Sequence, residues 1–161
     1  MDFKMAARSV SFSRSLVTSR RGRPHAGLRG DTMEEVSVDK ASNTRRILLV
    51  DDNVDLLEMT AVLFEEQGFE VWSARNGAAA MEILQQVPEM DVLFTDIVMP
   101  GMNGFQLGYE ARKLQPHIRI ILVSGYPNPS SQTSEGELQD FDFLPKPYRV
   151  EDVLRLLARP N

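Results

Sequence analysis

The 161-residue chain contains no cysteine. Disulfides, thiol nucleophiles and cysteine-ligated zinc are therefore excluded. Histidine is scarce: His25 stands in a polar tail and His117 follows Pro116. The two are far apart in sequence, and neither a histidine metal centre nor a Ser-His-Asp triad is expected. No apolar run approaches the roughly 18–20 residues needed to span a bilayer, so no membrane association is expected. Positive charge is also short, with a formal balance of −5, and it is unevenly placed. Residues 1–32 hold seven of the 18 basic groups and two of the 23 acidic ones, a balance of +5. The other 11 basic and 21 acidic groups give residues 33–161 a balance of −10. The phosphate backbone would repel such a domain, and direct DNA binding is not expected.

What is present is an ordinary soluble composition, 42% apolar and 25% charged, enough for one domain with a real core. Residues 1–44 show no sustained period and are rich in Ser, Arg, Gly and Thr. Such a stretch buries too little to offset its ordering entropy and reads as a disordered tail. Two readings of it stand. It is a basic arm or transit-type segment, or a solvated extension upstream of a working start at Met33.

From Arg45 to Asn161 the pattern changes to that of a single α/β domain. Five short apolar segments begin at Ile47, Phe69, Val92, Ile118 and Phe141. Helical candidates at 54–67, 77–87, 103–114, 127–138 and 149–159 separate or follow them. This alternation predicts a parallel sheet covered on both faces. The first, third and fourth segments are nearly continuous in apolar residues and suit central strands. The second and fifth alternate and suit edges. The doubly wound five-stranded order 2-1-3-4-5 meets that requirement. Asn53 is placed to cap the first helix and Gly68 to end it.

In this topology ligands bind beyond the strand carboxyl ends, where the order reverses. The first segment runs into Asp51-Asp52 and the third into Asp96. Two unit charges about 4 Å apart repel by roughly 4 kcal/mol at an effective dielectric of 20. Three converging carboxylates therefore call for a shared proton or a cation. An all-oxygen donor set favours a hard ion, Mg²⁺ above all. Ser124 follows the fourth segment and Lys146 the fifth. A hydroxyl and an ammonium beside a metal can hold a tetrahedral oxyanion, and a neighbouring carboxylate can take a phosphoryl group. Singly, each of these residues also suits a cap, a turn or a solvated surface position. Together, four strand ends deliver fitting groups to one edge.

The segments Ile47-Leu48-Leu49-Val50-Asp51-Asp52-Asn53, Asp96-Ile97-Val98-Met99-Pro100-Gly101-Met102-Asn103-Gly104, Val123-Ser124-Gly125-Tyr126 and Leu144-Pro145-Lys146-Pro147-Tyr148 resemble those of bacterial response-regulator receiver domains. The likeness includes Asn76-Gly77 and covers residues 45–159. It implies a flavodoxin-like receiver fold and a cytoplasmic two-component or phosphorelay switch. Asp96 would be the phosphoacceptor. Asp52, Asp96 and the Val98 backbone carbonyl would bind Mg²⁺, with Asp51 assisting. Lys146 and Ser124 would contact the phosphoryl group, Ser124 and Phe143 would form the switch pair, and Lys146-Pro147 would be cis. A histidine kinase or histidine phosphotransfer protein would supply the phosphoryl group. A downstream protein would read the face made by the last two helical candidates and the fifth strand.

Two departures qualify the likeness. The segment Tyr126–Gly136 carries two prolines and three serines, so a short or partly unwound helix is expected there, which weakens the case for dimerisation through that face. The chain ends soon after its last helical segment, so the expected output is a protein contact or phosphate relay, in a stand-alone switch or a receiver belonging to a hybrid kinase. Two rivals are weaker on the residues. An aspartate-nucleophile phosphatase would place an acid two residues after the nucleophile, where Val98 stands. A non-phosphorylatable pseudo-receiver would lack an acid or the lysine, and none is missing.

Overall fold

The computed structural model describes residues 44–125 and 140–160. Its elements run β1 (Arg46–Val50), α1 (Val54–Glu66), β2 (Glu70–Ala74), α2 (Gly77–Gln86), β3 (Val92–Asp96), α3 (Gly104–Leu114), β4 (Arg119–Ser124), β5 (Asp142–Pro145) and α4 (Val150–Ala158). The tail before residue 44 and the helical candidate at 127–138 lie outside the described residues.

The strands form one parallel sheet in the order β2-β1-β3-β4-β5. This is the doubly wound order expected from the apolar patterning. β1, β3 and β4 are almost wholly buried, while β2 and β5 occupy the edges. Alternate residues of each central strand feed opposite layers of the core. Leu48, Leu93, Ile120 and Leu122 pack with Ala80 and Ile83 of α2 and Phe105 and Leu107 of α3. Ile47, Leu49, Phe94, Ile121 and Val123 pack with Leu57 and Phe64 of α1 and Val153 and Leu157 of α4.

The starts of α1, α2 and α3 are fixed by asparagines whose side chains accept from backbone N–H groups left unpaired in the first turn. Asn53 accepts from Leu56 N (3.2 Å) and Asn76 from Ala79 N (2.8 Å). Asn103 and Gln106 form a reciprocal capping box. Gly68, with φ of 87°, follows the C-cap of α1 in the left-handed conformation. These caps set where each helix leaves the upper edge of the sheet. That edge is the end at which β1, β3, β4 and β5 deliver their last residues.

Candidate functional site: an acidic cluster at the sheet switch point

The register of the central strands brings the acidic residues together. Val50 pairs with Thr95 across β1 and β3, so Asp51 and Asp96 stand one residue beyond that pair. The strands reach slightly further than the apolar runs suggest: Asp96 and Ser124 are themselves the last residues of β3 and β4. Asp51, Asp52 and Asp96 can each present an oxygen within 4.8 Å of the others. Asp52 is exposed, whereas Asp51 and Asp96 are partly covered.

Lys146 closes the cluster from the position just beyond β5. Its Nζ donates to Asp96 Oδ2 at 3.0 Å and approaches Asp51 Oδ2 at 3.4 Å. Burial acts to lower the pKa of this ammonium, but its hydrogen bonds and charge pairing with Asp96 and Asp51 outweigh burial, and the net shift is upward. The backbone holds the lysine too, since Lys146 N donates to Ser124 O at 2.7 Å. The Lys146–Pro147 peptide bond is cis.

Backbone N–H groups brace the carboxylates. Asn53 N donates to Asp51 Oδ1 (2.9 Å), and Val98 N donates to Asp96 Oδ1 (3.3 Å). The second contact sets the Val98 backbone beside Asp96, while the residue as a whole is 53% exposed. The start of α3 passes close behind Asp96. A Cβ on Gly104 would collide with the Asp96 carbonyl oxygen and stand 2.9 Å from Ile97 Cα. Only glycine lets helix and strand end approach this closely.

Ser124 is buried at the end of β4, opposite Pro145 of β5. Phe143 lies partly buried on the α2–α3 side of the sheet, its ring centroid 6.0 Å from that of Phe105. Thus Asp51, Asp52, Asp96 and Lys146 form one contacting cluster. Val98 borders it through its backbone, and Ser124 and Phe143 stand on the neighbouring strands.

Two residues outside the sequence expectation line the same crevice. A small cavity beneath the carboxylates is bounded by Thr60, Phe94, Lys146 and Tyr148 together with Asp51 and Asp96. Thr60 and Tyr148 share a hydroxyl–hydroxyl hydrogen bond of 3.3 Å. The signal for Thr60 was a polar residue three positions after Leu57 and four before Phe64, on the buried face of α1.

The residues fit a divalent cation. Three carboxylates and one ammonium carry a formal charge of −2 after internal pairing, and the donors are all oxygen.

A doubly wound parallel sheet with a carboxylate cluster and a lysine at its switch point defines a receiver-type module. Residues 47–158 match the family model described as response regulator receiver domain. The chain belongs to that family, whose members are switches of two-component signalling. It is 33% identical over 115 residues to the response regulator receiver protein CpdR of Brucella abortus, covering 71% of this chain and 95% of that protein. It is 35% identical over 125 residues to the sensor kinase CckA of the same organism, covering 74% of this chain but 13% of the kinase. Among solved structures it resembles the Thermotoga maritima response regulator TrrA in complex with Mg²⁺-BeF, with a TM-score of 0.62, 27% identity, and coverage of 71% of this chain and 96% of that one. Among the described residues, no helix is long and apolar enough to cross a membrane.

Proposed function

We propose that Asp96 accepts a phosphoryl group and that residues 45–161 act as a cytoplasmic phosphorylation switch. The observation that carries this reading is the convergence of three carboxylates within 4.8 Å of one another, with Lys146 Nζ 3.0 Å from Asp96. The donor is a phosphohistidine on a histidine kinase or a histidine phosphotransfer protein. An Asp96 carboxylate oxygen attacks phosphorus, the phosphorus–nitrogen bond breaks, and the imidazole leaves with the bonding pair and takes up a proton. Lys146 exchanges its contact with the free carboxylate for one with the phosphoryl oxygens.

Asp52, Asp96 and the Val98 carbonyl, with Asp51 assisting, would hold Mg²⁺, which supplies charge neutralisation for the phosphoryl oxygens during in-line transfer. Ser124 shifts toward the transferred group to supply its hydroxyl, and Phe143 on the adjoining strand turns into the space vacated. The changed surface is read by a downstream protein, a local charge event biasing a two-state element. Water attack on phosphorus later releases phosphate and restores the carboxylate.

Incubation with acetyl phosphate and Mg²⁺, followed by intact mass, tests the reading. The wild-type chain gains one phosphate and Asp96→Asn gains none. Absence of the gain in a folded wild-type chain overturns it.

A further inference from the structure

Lys146 has a long, flexible stem, and the charge arrangement alone does not say what keeps its head over Asp96. The loop that follows it supplies an answer. Two residues on, the Tyr148 ring packs edge-on against Phe94 of β3, with centroids 5.2 Å apart and an interplanar angle of 75°. Phe94 in turn packs against Phe64 of α1 at 5.6 Å. The Tyr148 hydroxyl lies 3.3 Å from Thr60 Oγ1, and either oxygen can donate.

Thr60 is an unexpected residue for its place. It is 5% exposed, inside α1, between Leu57 and Phe64 on the face that meets the sheet. Threonine is a weaker helix former than leucine or alanine, and a buried hydroxyl is tolerated only with a partner. An aliphatic residue would fill the space with better propensity. What the hydroxyl adds is a directional tie from the rigid helix to the loop between β5 and α4. Both residues border the cavity that Asp51, Asp96 and Lys146 also line. Burial raises the Tyr148 pKa, offsetting the opposing effects of Thr60 and Lys146, so the phenol keeps its proton at neutral pH and remains able to donate.

We propose that Thr60 and Tyr148 are positioning residues for phosphoryl transfer, their hydroxyl pair latching the Lys146 loop to α1 so that the ammonium stays over Asp96. This rests on the reading of Asp96 as phosphoacceptor. The latch touches neither the phosphoryl group nor the donor. It acts through Lys146, and loss of alignment lowers the transfer rate while leaving the fold in place.

The test measures the initial rate of Asp96 phosphorylation by acetyl phosphate in excess Mg²⁺, well below the melting temperature, in Tyr148→Phe, Thr60→Val, the double variant and Thr60→Ser. Tyr148→Phe keeps the ring against Phe94 and removes only the hydroxyl. Each of Tyr148→Phe and Thr60→Val is expected to slow the reaction about threefold to tenfold, and the double variant no further, because both remove one interaction. Thr60→Ser restores the hydroxyl and recovers the rate. Melting followed by Trp72 emission, from the opposite side of the sheet, separates rate from stability. A lowered melting temperature with an unchanged rate, losses that multiply in the double variant, or no rescue by Thr60→Ser each overturn the latch. No phosphate gain in the wild-type chain overturns the phosphoacceptor reading instead.

Discussion

The Lys146 ammonium reaches across β4 to place its Nζ 3.0 Å from Asp96 Oδ2, joining the ends of two strands that are not neighbours in the sheet. The pair is partly covered, with side-chain exposures of 25% and 13%. Breaking a fully buried pair costs about 3–5 kcal/mol, and solvent access reduces that figure here. Lys146→Met is therefore expected to destabilise the metal-free chain by about 1–2 kcal/mol, since it leaves three carboxylates without a counter-ion. Chemical unfolding followed by Trp72 emission measures this. Excess Mg²⁺ should shrink the difference, because a cation then supplies the missing charge. A loss that is the same with and without Mg²⁺ would show that the lysine acts through packing of its stem.

Metal binding has its own signature. A ligand that binds only the folded chain stabilises it by about 2.7 kcal/mol at one hundred times its dissociation constant. Mg²⁺ titration of the wild-type chain should raise the melting temperature, and Asp52→Asn should remove most of the rise. Asp52 is exposed at the rim, so this substitution is expected to cost little stability in the absence of metal. An unchanged melting temperature in excess Mg²⁺ would take the cation out of the reading.

Two glycines separate steric from conformational demands. Gly104→Ala drives a Cβ into the Asp96 carbonyl and Ile97, both main chain and unable to yield cheaply. A loss of about 1–3 kcal/mol is expected, with a drop in phosphorylation rate because the end of β3 must shift. Gly68→Ala meets nothing within 4 Å, so only its φ of 87° opposes the change. About 1–2 kcal/mol is expected there, with the phosphorylation rate untouched. Equal effects of both on the rate would mean that Gly104 does not set the position of Asp96.

The legibility of this chain divides along physical lines. Strand order was readable because burial on both faces leaves a continuous apolar run, as in Ile47–Val50, while an edge strand such as Glu70–Ala74 keeps polar positions. The placement of Asp51, Asp96, Ser124 and Lys146 on one edge was readable because each ends a strand or directly follows one, on the edge where this topology gathers ligands. Side-chain contacts between elements distant in sequence were not readable. Gln115 donates to Leu84 O and Val87 O, each at 2.9 Å, and accepts from Met90 N at 2.7 Å, tying the loop after α2 to the end of α3. Thr60 and Tyr148 meet across 88 residues. No local period or motif encodes such pairs, because they depend on how the helices and strands pack.

Alkaline titration gives the last prediction. Burial lifts the Tyr148 pKa above its ordinary 10.0, overriding the hydrogen bond with Thr60 and the charge of Lys146, which act to lower it. The folded chain therefore holds this proton more tightly than the unfolded chain does. Above pH 10.0 the unfolded phenol ionises first, so the contribution of Tyr148 to stability is full below that pH and declines as pH rises toward the folded-state value. The difference between the tyrosinate absorbance titrations of wild type and Tyr148→Phe isolates this group and should show a midpoint above 10.0. Wild type should also lose stability faster than Tyr148→Phe over the same window, because only wild type carries the linked proton. A midpoint at or below the ordinary value would mean that water reaches the hydroxyl freely, and the packing of Tyr148 against Phe94 and Thr60 would then be looser than their distances indicate.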